Sequence, residues 1–220
     1  MLQAVIFDMD GLLIDSEILW QEAEFLTFSN LGVTVTKEMC RKIVGWRMDA
    51  IVEHFYKCVP WKGATLKEVE KRITDRMLML IPKRGSPKPG ALEALAFVKK
   101  QGVRIGLASG SYYEIIQSVL DHLDIADAFE CVCSSEDEAH GKPQPDVYLT
   151  AIRKLNAEPN KCLAIEDSYN GILAAKAAGM RSIAVPDTSL PQDARLVGLA
   201  DVTLSSLQEL DQKVWSHFNH

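Results

Sequence analysis

The chain has 220 residues, 47% of them hydrophobic and 25% charged, enough for a full core and for one domain with a sizeable insertion. Its formal charge is −6 with no basic cluster, which speaks against nucleic acid as a partner; an anionic small molecule remains open, because local field and not net charge governs a cleft. No segment approaches the roughly 20 apolar residues of a membrane span, and Cys40, Cys58, Cys131, Cys133 and Cys162 form no Cys-x-x-Cys pair, so a soluble, cytoplasmic protein with reduced core cysteines is expected.

Leu2 to Phe7 reads as a short strand buried on both faces of a parallel sheet, since Val5, Ile6 and Phe7 follow one another without a charge. This apolar start has no basic n-region, and charge arrives at Asp8 before a secretory h-region is complete. Asp8 and Asp10 emerge at the strand's carboxyl end, where open α/β sheets bind ligands. Two acids held so close repel and lose solvation, so a cation, a proton or a reaction must justify them. Gly11 behind them also suits a plain turn, with Asp15 or Ser16 as an N-cap. A calcium loop fails on spacing, because its glycine and glutamate positions counted from Asp8 fall on Leu13 and Leu19.

Helical periodicity follows over Glu17 to Leu31, Lys37 to Val44, Ala50 to Cys58 and Leu66 to Ile81, with no convincing strand between Ser16 and Arg84. Pro82 to Gly90, rich in proline and glycine, marks a loop or hinge. Beyond it, helix Ala91 to Lys100 precedes strand Val103 to Ala108, helix Glu114 to Leu123 and strand Ala128 to Cys133. Helix Asp146 to Leu155, strand Cys162 to Ile165, helix Gly171 to Ala178 and strand Arg181 to Val185 continue the alternation. The tail adds an edge strand over Asp201 to Leu204 and a closing helix over Leu207 to Phe218.

Such alternation predicts an α/β parallel-sheet core, residues 1–15 and 86–220, with an all-helical block of residues 16–85 inserted after the first strand. An insertion rooted there emerges over Asp8 and Asp10. That is the geometry of a lid, with hinges at Leu13 to Glu17 and Pro82 to Gly90; a helical subdomain without lid motion is the alternative.

Three later segments bring polar residues to other strand ends. Ser109-Gly110-Ser111 exposes amides and hydroxyls at a helix start, which attracts anions and equally suits an N-cap. Lys142 stands in Gly141-Lys142-Pro143, where limited backbone freedom could hold its ammonium as a point charge for phosphate, although loop lysines are usually solvated. His140 beside it has no acid or nucleophile fixed by sequence. Glu166 and Asp167 end another apolar strand; with Asp8 and Asp10 they suit a hard cation, and magnesium favours few carboxylates, waters and a substrate phosphate. Neither a P-loop nor a Gly-x-Gly-x-x-Gly fingerprint is present.

Asp8-Met9-Asp10-Gly11, Ser109, Lys142 and Glu166-Asp167, in this order, resemble the four motifs of the haloacid dehalogenase-like phosphotransferases over nearly the whole chain. Asp10 to Glu17 and Gly106 to Ser109 look most like the sugar-phosphate phosphatase and β-phosphoglucomutase branch, and within it bacterial phosphatases of hexitol phosphates and 2-deoxyglucose 6-phosphate. The resemblance implies a Rossmann-like core with a helical cap. It implies Asp8 as nucleophile, Asp10 as acid and base, and Mg2+ held by Asp8, the Asp10 carbonyl and Asp167, with Glu166 in or near its shell. Phosphate would meet Asp8, Met9, Asp10, Ser109, Gly110 and Lys142. Trp20 stands where the mutases carry a cap histidine, and the cap shows no second phosphate-binding basic pair, which favours water as acceptor over a phosphomutase reaction. A binding module without turnover is the remaining alternative. Trp20, Trp46 and Arg47 are the candidate substrate contacts from the cap. A small phosphate ester is the expected partner, without nucleic acid or membrane; a monomer is expected, with a weak homodimer as the alternative.

Overall fold

β1 (Ala4–Phe7) is buried along its whole length, and its alternate residues feed two cores. Val5 and Phe7 join a cluster with Leu107, Leu163 and Ile165, whereas Ala4 and Ile6 join Ala108, Ala164 and Tyr148. A strand apolar on both sides of its pleat belongs at the centre of a sheet. The computed structural model describes residues 1–36, 39, 46–186, 196 and 198–219. Within them, β2 (Arg104–Ser109), β3 (Cys131–Ser134), β4 (Cys162–Glu166), β5 (Arg181–Ala184) and β6 (Val202–Thr203) join β1 in a parallel sheet ordered β3-β2-β1-β4-β5-β6. The chain winds from β1 to β2 and β3 on one side, then crosses back to β4, β5 and β6 on the other. That reversal beside β1 is where doubly wound sheets bind ligands.

The inserted block consists of α1 (Glu17–Ser29), α2 (Met48–Cys58) and α3 (Leu66–Arg84). α4 (Ala91–Lys100) and α5 (Tyr113–Leu123) cover the Phe7 side of the sheet, while α6 (Asp146–Lys154) and α7 (Tyr169–Ala177) cover the Ile6 side. This is the Rossmann-like α/β fold expected from the strand and helix alternation. The two segments joining block and sheet run side by side, with Asp15 N–H donating to the Ser86 carbonyl at 2.9 Å and Lys88 N–H to the Leu13 carbonyl at 3.0 Å. Inside the block α1 packs on α3, and α3 also packs against α5 beside the sheet.

Several expectations change in detail. α3 continues through Pro82 to Arg84, and Gly85 N–H still donates to the Ile81 carbonyl at 2.8 Å. A proline so near the end removes one ladder bond without stopping the helix, so the loop begins at Gly85. Residues 126–128 form a single 3-10 turn, which delays β3 to Cys131. The closing helix divides into a turn over Leu207–Glu209 and α8 (Gln212–His217), because the Asp211 carboxylate caps Lys213 and Val214 N–H at 2.9 Å each and starts a new helix. Cys133 and Cys162 are buried as expected, but Cys58 is exposed on α2. The helix predicted over Lys37 to Val44, and Cys40 with it, lie outside the described residues apart from Met39. Among the described residues, no helix is long and apolar enough to cross a membrane.

Candidate active site

Parallel register brings the acids of two strands together. Phe7 pairs with Ile165 of β4, so Asp8 and Glu166 follow at the same level, and Asp8 N–H donates to the Ile165 carbonyl at 3.0 Å. Gly11, at φ +74°, then turns the chain sharply. The Met9 carbonyl accepts from Leu13 and Ile14 N–H at 2.9 and 3.2 Å, and the Met9 side chain is buried. Met9 thus anchors the turn, which folds Asp10 over the end of β1.

Lys142 crosses from its loop into this corner. Its Nζ donates to Asp8 Oδ1 and Glu166 Oε1 at 2.6 Å each and to the Ala108 carbonyl at 3.0 Å. The ammonium is buried and lies 5.0 Å from the Tyr148 ring centroid, so it is held in place and not solvated. Burial alone would depress it, but Asp8 and Glu166 outweigh that and hold it above its ordinary range. For Asp8, burial dominates and pushes the carboxyl up to about 8, against the pull of Lys142.

Both oxygens of Glu166 are engaged: Oε1 accepts from Lys142 and from the Tyr148 hydroxyl at 2.8 Å, and Oε2 accepts from Ser168 N–H and Oγ at 3.2 and 3.0 Å. Glu166 lies so close to α7 that a Cβ at Gly171 would sit 1.8 Å from Oε1. Gly171 therefore makes room for the carboxylate. Asp8, Glu166 and Asp167 offer oxygens within 4.8 Å of one another, all buried. A single ammonium does not balance this charge, and an all-oxygen donor set fits a hard divalent cation.

Asp10 is held from three directions. Ser16 Oγ and Trp20 Nε1 donate to its Oδ1 at 2.7 and 2.9 Å, while Ser111 Oγ donates to its Oδ2 at 2.7 Å. Ser16 stands at the N-cap position of α1 but makes no side-chain cap bond, because its hydroxyl goes to Asp10. Ser109 is buried, and its Oγ receives Ser111 N–H at 3.1 Å.

Asp8, Asp10, Ser109, Gly110, Lys142 and Asp167 all line one cavity, roofed from the inserted block by Trp20 and Trp46. Glu17, Glu24, Met48, Ile51 and Tyr112 complete its walls. Arg47 is not among the lining residues. Its guanidinium forks onto Asp49, with Nε to Oδ1 at 2.7 Å and Nη2 to Oδ2 at 2.6 Å, and its Nη1 donates to the Ser135 and Glu138 carbonyls at 3.1 and 2.7 Å. Arg47 is thus a clasp between the block and the loop that follows β3. Ser111 was read in the sequence only as part of the Ser109-Gly110-Ser111 helix start, and Glu17 and Glu24 were not read as site residues; only the i, i+3, i+7 spacing of Glu17, Trp20 and Glu24 on α1 could have shown that those three share a face.

An acid pair, Asp8 and Asp10, thus stands at the switch point of a doubly wound sheet under a roof of inserted helices. The haloacid dehalogenase-like hydrolase model matches residues 5–185, and the chain belongs to that family. Hexitol phosphatase B of Escherichia coli strain K12 is 44% identical over 211 residues, covering 96% of this chain and 95% of that relative. The phosphorylated carbohydrates phosphatase of Thermotoga maritima is 30% identical over 209 residues, covering 95% and 96%. Among solved structures, CbbY from Rhodobacter sphaeroides in complex with phosphate matches with a TM-score of 0.86 at 28% identity, over 96% of each chain.

Proposed function

We propose that this protein is a magnesium-dependent phosphatase of small sugar or sugar-alcohol phosphates that works through an aspartyl-phosphate on Asp8. The reading is carried by one juxtaposition: Asp8, paired with Lys142 at 2.6 Å, shares a roofed cavity with Asp10, which hydroxyl and indole donors hold in place. The 44% identity to a hexitol phosphatase supports the substrate class.

An Asp8 carboxylate oxygen attacks phosphorus, and the bond to the sugar oxygen breaks. Asp10 gives its proton to that departing oxygen. It then takes one from the water that attacks phosphorus, which breaks the bond to Asp8 and frees inorganic phosphate. Ser16 and Ser111 hydroxyls can each turn to donate or accept, so they hold Asp10 in both protonation states. Ser109, the Gly110 amide and Lys142 meet the phosphoryl oxygens as charge develops. Asp8, Asp167 and the Asp10 carbonyl would hold Mg2+, and Glu166, its oxygens taken, instead anchors Lys142. Held there, a cation would offset the repulsion between nucleophile and phosphate. The inserted helices α1, α2 and α3 act as a cap that keeps water from the cavity until the sugar has left.

Asp8→Asn should abolish phosphate release from a hexitol phosphate while circular dichroism and Tm stay near wild type. Undiminished turnover would end the mechanism, and dependence on a bisphosphate activator with isomerised hexose phosphate as product would turn the reading into a phosphomutase.

A further inference from the structure

The buried face of α6 carries Val147, Tyr148, Ala151 and Ile152, so a single phenol stands among aliphatic neighbours. Tyr148 is wholly buried, in one cluster with Ile6, Ala108 and Ala164 from three strands. A hydroxyl there needs a partner, and this one donates to Glu166 Oε1 at 2.8 Å. The same oxygen receives Lys142 Nζ at 2.6 Å, and that ammonium lies 5.0 Å from the Tyr148 ring centroid. Hydroxyl and ring face therefore both bear on the surroundings of Lys142.

An ammonium has three N–H groups, and those of Lys142 go to Asp8 Oδ1, Glu166 Oε1 and the Ala108 carbonyl. To meet a phosphoryl oxygen, Lys142 must turn one of them. Asp8 is the partner that changes: once bonded to phosphorus, its carboxyl has lost its charge and accepts more weakly, whereas Glu166 and the Ala108 carbonyl are unaltered. Glu166 must then keep hold of Lys142 without shifting itself. Its Oε2 is fixed by Ser168 N–H and Oγ, while Oε1 receives only Lys142 and Tyr148 among the described residues. Tyr148 is thus the donor that keeps Oε1 in place while the ammonium turns.

We propose that Tyr148 is a positioning residue: its hydroxyl fixes Glu166 Oε1 and its ring flanks the ammonium, so that Lys142 stays anchored while one N–H passes from Asp8 to a phosphoryl oxygen. This rests on the phosphatase reading above. Tyr148 is not among the residues lining the cavity, so it acts through Glu166 and Lys142 and not on the substrate.

Tyr148→Phe keeps the ring and deletes the hydroxyl, and Tyr148→Met removes both. With a hexitol 6-phosphate, Tyr148→Phe should lose about tenfold in kcat, the scale of one hydrogen bond to a charged group, with little change in KM, and Tyr148→Met should lose more. Orthovanadate, which takes up five oxygens as phosphorus does during transfer, should lose about tenfold more affinity than inorganic phosphate in Tyr148→Phe, since Lys142 is aimed at charge that develops in the transition state. A lowered Tm with unchanged kcat and an unchanged ratio of vanadate to phosphate inhibition constants is what a merely structural tyrosine gives, and would overturn the assignment; so would vanadate and phosphate weakening in parallel. Inhibition constants do not depend on how much of the protein is folded, so the ratio stays readable in a less stable variant. No turnover of any hexitol phosphate by the wild type would overturn the phosphatase reading and this assignment with it, whereas normal turnover with an unchanged ratio in both variants would overturn the assignment alone.

Discussion

In the proposed mechanism Asp10 works only if its carboxylate is aimed, and the indole of Trp20 on α1 is one of the donors that aim it. Trp20→Phe keeps the ring in the roof and deletes that donor. Its kcat should fall about tenfold, the scale of one hydrogen bond to an ionised group, with a smaller change in KM. Steady-state kinetics at saturating substrate would show the split; a change confined to KM would mean that Trp20 only touches the sugar. Gly171 gives a second test. A Cβ there would lie 1.8 Å from Glu166 Oε1, so Gly171→Ala must displace the carboxylate that anchors Lys142. Turnover should fall sharply and Tm with it, whereas Gly179→Ala, at φ +80° in the exposed turn after α7, should lower Tm without a matching loss of kcat. The motif residues themselves were legible, because carboxylates stranded at strand ends are costly without a purpose. Glu166 was legible as an acid but not as an anchor, since its four donors come from Lys142, Tyr148 and Ser168 on separate elements.

Among the elements, the segment leading into α2 ties cap to core through the fork of Arg47 on Asp49 and the two carbonyls after β3. Burial pushes the Asp49 carboxyl up, but the Arg47 guanidinium and the Ala50 N–H outweigh it and leave the carboxyl below its usual range. A depressed folded value means that the stabilisation is complete above the unfolded value and is lost as pH falls through the folded one. The Tm difference between wild type and Asp49→Asn should therefore be present at neutral pH and vanish in acid; a constant difference would mean that the charge contributes nothing. The pair is partly exposed, so the difference should be modest. The hydropathy pattern located α2, whereas Arg47 was a candidate substrate contact only for its chemistry, and no pattern tells whether a side chain next to a cavity wall points in or away. The same limit hid the passage of α3 through Pro82, where only the bond from Gly85 to Ile81 reveals a helix still intact.

For the whole molecule, one continuous apolar cluster links the sheet to the inserted helices, from Phe7 and Ile165 through Leu13 and Ile14 to Phe28 and Phe55. Phe28 is buried, with its ring centroid 4.5 Å from that of Phe55 and 5.8 Å from that of Trp61. Phe28→Ala should cost about 3–5 kcal/mol in urea unfolding. Because the cluster is shared, fluorescence and far-UV circular dichroism should report one coincident transition; two separated transitions would show that cap and core unfold independently. The sequence by itself determined the α/β class and marked out the helical stretch after β1 and the acids at the strand ends, because period, punctuation and charge at strand ends are local properties. Only the tertiary structure decided that Lys142 lies between Asp8 and Glu166, that Trp20 reaches Asp10 while Arg47 turns to the loop after β3, and that Glu17 and Glu24 are among the residues lining the cavity. Each of those depends on the register of strands and the packing of helices far apart in the chain, which local pattern does not encode.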